Sequence, residues 1–283
     1  MQLDDKTILI TGATDGVGRC VAERLGKLGA RVLVHGRNAA RAEQVLEAIR
    51  ATGNDKCRFY PADLSSLAEV RRLADEVRTD SECIHVLINN AGIGSGGPGG
   101  ARQVSPDGHE LRFAVNYLAG FLLTTLLLPT LRACAPARIV NVASAGQHAI
   151  DFDDVMLTRG YSGGRAYAQS KLAQIMFTLD LAHTLDGTGV TVNCLHPATY
   201  MDTTMVRQSG ATPISTVEEG ADAIMRLAVS PELEGVSGRY FNRQRPARAE
   251  AQAYDADARE RLRQISLDLT ELTETPTARV AGL

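Results

Sequence analysis

Short apolar runs alternate with longer two-faced segments along most of the chain. Residues 7–10, 31–35, 57–60, 84–88, 138–142 and 190–194 are brief, nearly continuous in hydrophobicity and rich in β-branched side chains, so they read as strands. Between them, 17–28, 39–52, 67–77, 107–130 (in two pieces), 166–185 and 217–229 read as helices. Gly29 and Gly53 stop two of these, and Ser65 or Ser66 is placed to cap a third. A short strand at 238–241 and a helix at 259–272 follow. Strands that lack polar alternation are buried on both faces, which predicts a parallel sheet with helices on each side. Right-handed crossovers then give an α/β fold of the doubly wound, Rossmann type. No repeat or linker divides residues 1–283, so a single domain is expected, with 276–283 a frayed tail.

Composition narrows the partners. The net charge of −3 gives no reason to expect nucleic acid or an anionic membrane. The start, Met1-Gln2-Leu3-Asp4-Asp5-Lys6, lacks the basic and apolar regions of a signal peptide. The most apolar stretch, 117–131, contains Pro129 and falls short of the roughly 20 residues of a spanning helix. Cys20, Cys57, Cys83, Cys134 and Cys194 are scattered, odd in number and never C-x-x-C. That predicts reduced thiols in the cytoplasm, with no disulfide framework and no zinc site. The six histidines show no ligand spacing with acids or cysteines, so no metal is expected.

Ligands of a doubly wound sheet sit beyond the carboxyl ends of its strands. Four features lie there or on the next helix. The first is Thr11-Gly12-Ala13-Thr14-Asp15-Gly16-Val17-Gly18, after strand 7–10 and before a helix. Glycines let another group approach the backbone, and a helix N-terminus suits a pyrophosphate. The others are Asn89-Asn90-Ala91-Gly92, Ser144 within Val142-Ala143-Ser144-Ala145-Gly146, and Tyr167 with Lys171 four residues on. At that spacing the last two share a helix face.

In this order the four resemble the short-chain dehydrogenase/reductase family over residues 6–241. Gly108-His109-Glu110-Leu111-Arg112-Phe113-Ala114-Val115-Asn116, Ala135-Pro136-Ala137-Arg138-Ile139-Val140-Asn141-Val142 and Gly187-Thr188-Gly189-Val190-Thr191-Val192-Asn193 are similar to its retinol-dehydrogenase-like branch. The resemblance implies catalytic roles for four residues. Tyr167 is the general acid/base, and Lys171 favours its phenolate and binds the nicotinamide ribose. Ser144 steadies the developing oxyanion, and Asn116 holds a water linking Lys171 to solvent. It also implies cofactor contacts at Gly12, Thr14, Asp15, Gly16, Val17, Gly18, Arg37, Asn38, Asp63, Leu64, Asn90, Ala91, Gly92, Tyr167, Lys171, Pro197 and Thr199. Three departures stand out. Ala198 replaces the glycine usual after His196-Pro197, the threonine expected beyond is Thr199 or Thr203, and the loop at 94–100, where substrate access would be shaped, is unusually rich in glycine.

The expected activity is an oxidoreductase interconverting a carbonyl and an alcohol. The alternatives are a cofactor-sensing regulator without turnover, or a dehydratase or isomerase on the same scaffold. Gly36-Arg37-Asn38 ends the second strand without a carboxylate, and Arg37 can bind a ribose 2′-phosphate, so NADP(H) is preferred over NAD(H). Asp15 stands where many NADP-dependent relatives carry a basic residue. Apolar side chains cover nearly every side of 116–131, which calls for cover on its outer face and predicts a homodimer or homotetramer. Residues 93–103, 147–165 and a substrate loop at 198–216 should line the pocket. The third holds Tyr200, Met201, Met205 and Val206, and the charges among these segments are mixed in sign. A neutral, largely apolar small molecule is the expected substrate.

Overall fold

The computed structural model describes residues 2–96 and 100–273. One sheet of eight strands runs in the order β3-β2-β1-β4-β5-β6-β7-β8. These are β1 (Thr7–Ile10), β2 (Arg31–Gly36), β3 (Arg58–Pro61), β4 (Val86–Asn89), β5 (Ala137–Val142), β6 (Val190–His196), β7 (Arg239–Asn242) and β8 (Arg245–Ala247). All pairs are parallel except β7 with the short β8, which the sequence pattern did not reveal. The order reverses between β1 and β4, the switch point at which such folds bind ligands.

Successive strand residues feed opposite faces. Leu9, Leu33, Leu87, Ile139 and Val192 join one core, and Ile8, Ile10, Val32, Val34, Ile88 and Val140 join the other. The second core is closed by α1 (Gly16–Lys27), α2 (Ala39–Arg50) and α8 (Val217–Val229). The first is closed by α3 (Leu67–Asp80), α5 (Ala119–Ala133) and α6 (Gly163–Thr184). A three-residue helix, α4 (Leu111–Phe113), enters α5 through a π turn at Ala114–Leu118. The segment Leu111–Ala133 is long and apolar enough to cross a membrane, but 67% of its most apolar window is buried against the sheet and its neighbours, as a core helix would be.

A buried polar ladder fixes α5 and α6 to the sheet. Asn89 and Asn141 are register partners on β4 and β5. Asn89 Nδ2 donates to Asn141 Oδ1 (2.8 Å) and to Thr124 on α5 (2.9 Å). Asn141 Nδ2 donates to Thr178 on α6 (2.9 Å). A slip of one residue would break all of these while burying both amides unpaired.

Two expectations are refined. Part of the apolar segment 116–131 is covered by the chain itself. The last helix, α9 (Ala256–Leu269), is capped by Asp255 and starts a turn earlier than the hydrophobic pattern suggests. It packs on α6 and lays Leu262 and Leu267 into the same core as Tyr117 and Phe177. Tyr117 Oη and Ser266 Oγ hydrogen-bond at 2.6 Å. Leu126 and Leu128 on α5 stay only partly buried. The second change concerns the thiols. Cys83 and Cys134 form a disulfide, with Cα atoms 5.2 Å apart, while Cys20, Cys57 and Cys194 are free. The cysteine-based case for a reducing compartment is thereby removed. His85 lies beside the bond, but its Nδ1 accepts the Thr7 N–H, which leaves the ring proton on Nε2 and no lone pair for a metal.

The tail at 276–283 and part of the glycine-rich loop at 94–100 lie outside the described residues.

Candidate active site

The carboxyl ends of β1, β4, β5 and β6 bring the four sequence features together. Gly12 has φ of +65°, and a Cβ on it would sit 2.9 Å from Ala91 Cα. Only glycine allows that approach. A Cβ on Gly18 would overlap the Gly12 carbonyl and the Asn90 amide. Asp15 caps α1 by accepting the Gly16 N–H at 2.8 Å, and no acidic residue occupies the helix's first turn. The N-terminus of α1 therefore offers its dipole and free N–H groups to an anion.

Buried side chains brace this loop. His35 Nδ1 accepts the Gly12 N–H (3.2 Å), and its Nε2 donates to Ala62 O (3.1 Å). Burial pushes its pKa down to about 4, so the neutral ring holds both bonds across the working range. Asn90 Nδ2 donates to the carbonyls of Thr11 (2.8 Å) and Gly12 (3.1 Å). Several of the expected contact residues thus build the site with their side chains. Asn38 caps α2, and Thr199 bonds His196 at 2.9 Å. Asn116 clamps both the N–H and the carbonyl of Ile93 and donates to Ser170. It lies in the π turn, a break in regular helix bonding that often marks a working site.

Arg37 lies 4.0 Å from Asp63 at the end of β2, and both are exposed. Arg41, which sequence reasoning missed, stands one turn into α2 with its guanidinium 2.9 Å from Asp15. Its position three residues past the Asn38 cap was the available signal. Thr203, rather than Thr199, stands over the glycine loop: a Cβ on Gly16 would meet its methyl at 3.1 Å. Thr204 donates to Asp15 at 3.0 Å, so α7 (Thr204–Gln208) is tied to the same loop. Thr14 and Val17 are buried in the turn, and Leu64 lines a small cavity beneath it. Ala198 is buried too. The glycine turn, a first helical turn with no acid beyond the Asp15 cap, and two exposed arginines fit a dinucleotide.

Ser144 follows β5. Its carbonyl accepts from Tyr240 (3.2 Å) and Gln147 (2.9 Å), and its Oγ accepts the Gly146 N–H (3.0 Å). The hydroxyl and the Tyr167 ring face the same spot: a Cβ on Gly146 would meet Ser144 Oγ at 3.5 Å and Tyr167 Cε1 at 3.9 Å. Ser162 caps α6, which carries Tyr167 and Lys171 on one face. Lys171 Nζ lies 5.9 Å from the Tyr167 ring centre. Burial acts on both groups: it raises the tyrosine and lowers the lysine to about 7. A half-buried phenol beside an amine of neutral range is chemically able to exchange protons.

The pocket segments are joined by a residue not foreseen from sequence. Arg112, buried before the π turn, donates to the carbonyls of Gly94 (3.0 Å) and Ser95 (2.9 Å) and to Tyr161 Oη (2.6 Å). It ties residues 94–95 to the segment preceding α6. Met205 of the substrate loop closes from the other side: a Cβ on Gly94 would meet it at 3.0 Å.

The model of the short chain dehydrogenase family matches residues 6–213. The chain belongs to that family. Human retinol dehydrogenase 12 is 36% identical over 95% of this chain and 87% of its own. Polyprenol dehydrogenase of Mus musculus is 38% identical over 94% and 84%. The similarity places this short-chain dehydrogenase in the retinol-dehydrogenase-like branch, among oxidoreductases that bind nicotinamide cofactors. Among solved structures, an uncharacterized protein from Mycobacterium Paratuberculosis superposes with a TM-score of 0.78, at 27% identity over 96% of this chain and 95% of that one. The NADP complex of Pseudomonas aeruginosa RhlG gives 0.69, at 29% identity over 85% and 95%.

Proposed function

We propose that this short-chain dehydrogenase interconverts a carbonyl and an alcohol on a neutral, largely apolar substrate, with NADP(H) preferred over NAD(H). The observation that carries the reading is the convergence of Ser144, Tyr167 and Lys171 beside the glycine loop. A bound nicotinamide supplies or takes the hydride. Ser144 and Tyr167 hydrogen-bond the substrate oxygen, and Tyr167 gives or takes its proton. Lys171 favours the phenolate and reaches the ribose.

The charges around the pocket support a neutral substrate. Arg165 pairs with Asp151 (2.9 Å), Arg207 with Asp202 (2.7 Å) and Arg159 with Asp154 (3.7 Å). Each pair lies within the loop segments that line the pocket and cancels in charge, so those pairs carry no net charge to favour an anionic substrate. Tyr200, Met205 and Ile214 of the substrate loop are exposed and offer apolar contact. The alcohols in the relatives' names, retinol and polyprenol, are of the same apolar class. Arg37 and Arg41 support the NADP(H) preference, as does the NADP bound in the RhlG structure.

A panel of retinaldehyde, aliphatic aldehydes, neutral ketones and polyprenols, followed at 340 nm, tests the reading. Stoichiometric cofactor consumption is expected. Binding of cofactor without turnover would favour a sensor, and product formed without net cofactor change would favour a dehydratase or isomerase. Turnover confined to anionic substrates would overturn the substrate class.

A further inference from the structure

Lys171 is buried, so the groups around its amine decide how it titrates. Nζ donates to Val142 O at 2.9 Å and to Gln174 Oε1 at 2.9 Å. The first acceptor is backbone and fixed by β5. The second is a side chain one helical turn further along α6. Facing the amine are Tyr167 from α6, Gly92 from the loop after β4, Asn116 from the π turn, and Val142 from β5. Of these only Tyr167 titrates, and no carboxylate faces Lys171 among the described residues.

Gln174 is itself placed with care. It is buried, and its backbone carbonyl accepts from Thr178 Oγ1 (2.8 Å), which anchors it to the Asn89–Asn141 ladder. Its side chain lines a cavity of about 10 Å³ with Asn89, Asn116 and Leu64, room for a single water. Asn89 Oδ1, buried at the same cavity, has no partner among the described residues. The Gln174 amide therefore lies between the amine and the cavity.

We propose that Gln174 is a positioning residue for Lys171, its side-chain oxygen holding the amine one turn from Tyr167 and sustaining its charge. This rests on the reading of Tyr167 and Lys171 as the proton-transfer pair. A desolvated ammonium is stabilised by each acceptor it bonds. Tyr167 and Lys171 titrate together, and in carbonyl reduction the working form is the fully protonated pair. Loss of its first proton sets the basic limb of the rate profile.

The test uses two variants of the full chain. Gln174→Met keeps length and removes the acceptor; Gln174→Glu keeps shape and adds a charge. Carbon-13 NMR of Lys171 Cε in the cofactor-free protein should show its titration moved to lower pH in Q174M, by about one unit or more, and to higher pH in Q174E. The basic limb of retinaldehyde reduction with NADPH should move in the same two directions. Titration at the wild-type pH in both variants would overturn the proposal, whatever happens to kcat. So would a moved lysine with an unmoved rate profile. If Q174M fails to fold, Q174E decides alone. Tyr167→Phe separates the two levels. Turnover retained there defeats the parent reading, whereas a dead Tyr167→Phe with unmoved titrations defeats only the role of Gln174.

Discussion

Arg41 on α2 donates to the carboxylate of Asp15 at 2.9 Å, so a cation beside Arg37 is held by the glycine loop's own acid. Both partners are about half exposed, and such a pair contributes at most about 1 kcal/mol. A ribose 2′-phosphate would compete with Asp15 for Arg41. Arg37→Ala and Arg41→Ala should each lower the ratio of kcat/KM for NADPH over NADH by about tenfold or more. Asp15→Asn should raise that ratio by freeing Arg41. Steady-state kinetics with both cofactors checks this, and an unchanged ratio in Arg37→Ala and Arg41→Ala would refute the NADP(H) assignment.

Tyr167→Phe removes one oxygen and little volume. The fold and cofactor binding should persist, while turnover falls about 10²–10⁴-fold. Circular dichroism and cofactor fluorescence provide the controls. Wild-type turnover would point to a different proton donor.

Lys171 should cost the free protein stability. Its folded pKa is lowered by burial to about 7 from an ordinary 10.5. Between those values the unfolded chain binds the proton and the folded chain does not, so wild-type stability rises with pH across that window. Lys171→Met should therefore unfold at a higher temperature than wild type at pH 7, by about 1–2 kcal/mol, with the advantage shrinking towards pH 10. It should also be inactive. A lysine variant no more stable at pH 7 would show that the hydrogen bonds to Val142 and Gln174 fully offset the burial.

The Cys83–Cys134 bond closes a loop across 51 residues. Loop-closure entropy alone is worth about 4 kcal/mol at that length, an upper value for a measured effect. Dithiothreitol should lower the melting temperature of the wild type and leave that of Cys134→Ser unchanged. Equal responses of the two proteins would exclude the bond in solution.

Sequence reading reached the strands and helices of the cofactor half and the glycine-loop, serine and tyrosine–lysine features, because each is local. β-branched runs, a glycine turn before a helix and an i, i+4 pair are all written within a few residues. What it missed depends on the fold bringing distant residues together. Cys83 and Cys134 meet only because β4 and the end of α5 share one end of the sheet. Arg112 looked like one charge in an apolar motif until the chain wrapped Gly94, Ser95 and Tyr161 around it. The bond from Tyr117 to α9 was illegible too, because α9 lies far along the chain and its own pattern is mostly polar. Asn116 was singled out through the family resemblance, but the π turn holding it follows from packing and leaves no periodic mark.

The reach of α9 also sets a schedule for synthesis. Besides the Tyr117–Ser266 bond, the Arg71 side chain on α3 donates to the Thr270 carbonyl, so the final helix grips an element made some 200 residues earlier. Until that helix clears the ribosome, the apolar flank of α6 and the Tyr117 ring face solvent on a nascent chain that already carries Ser144, Tyr167 and Lys171. Holdase chaperones would find their target in that interval, and a premature stop before residue 256 would leave the flank permanently bare.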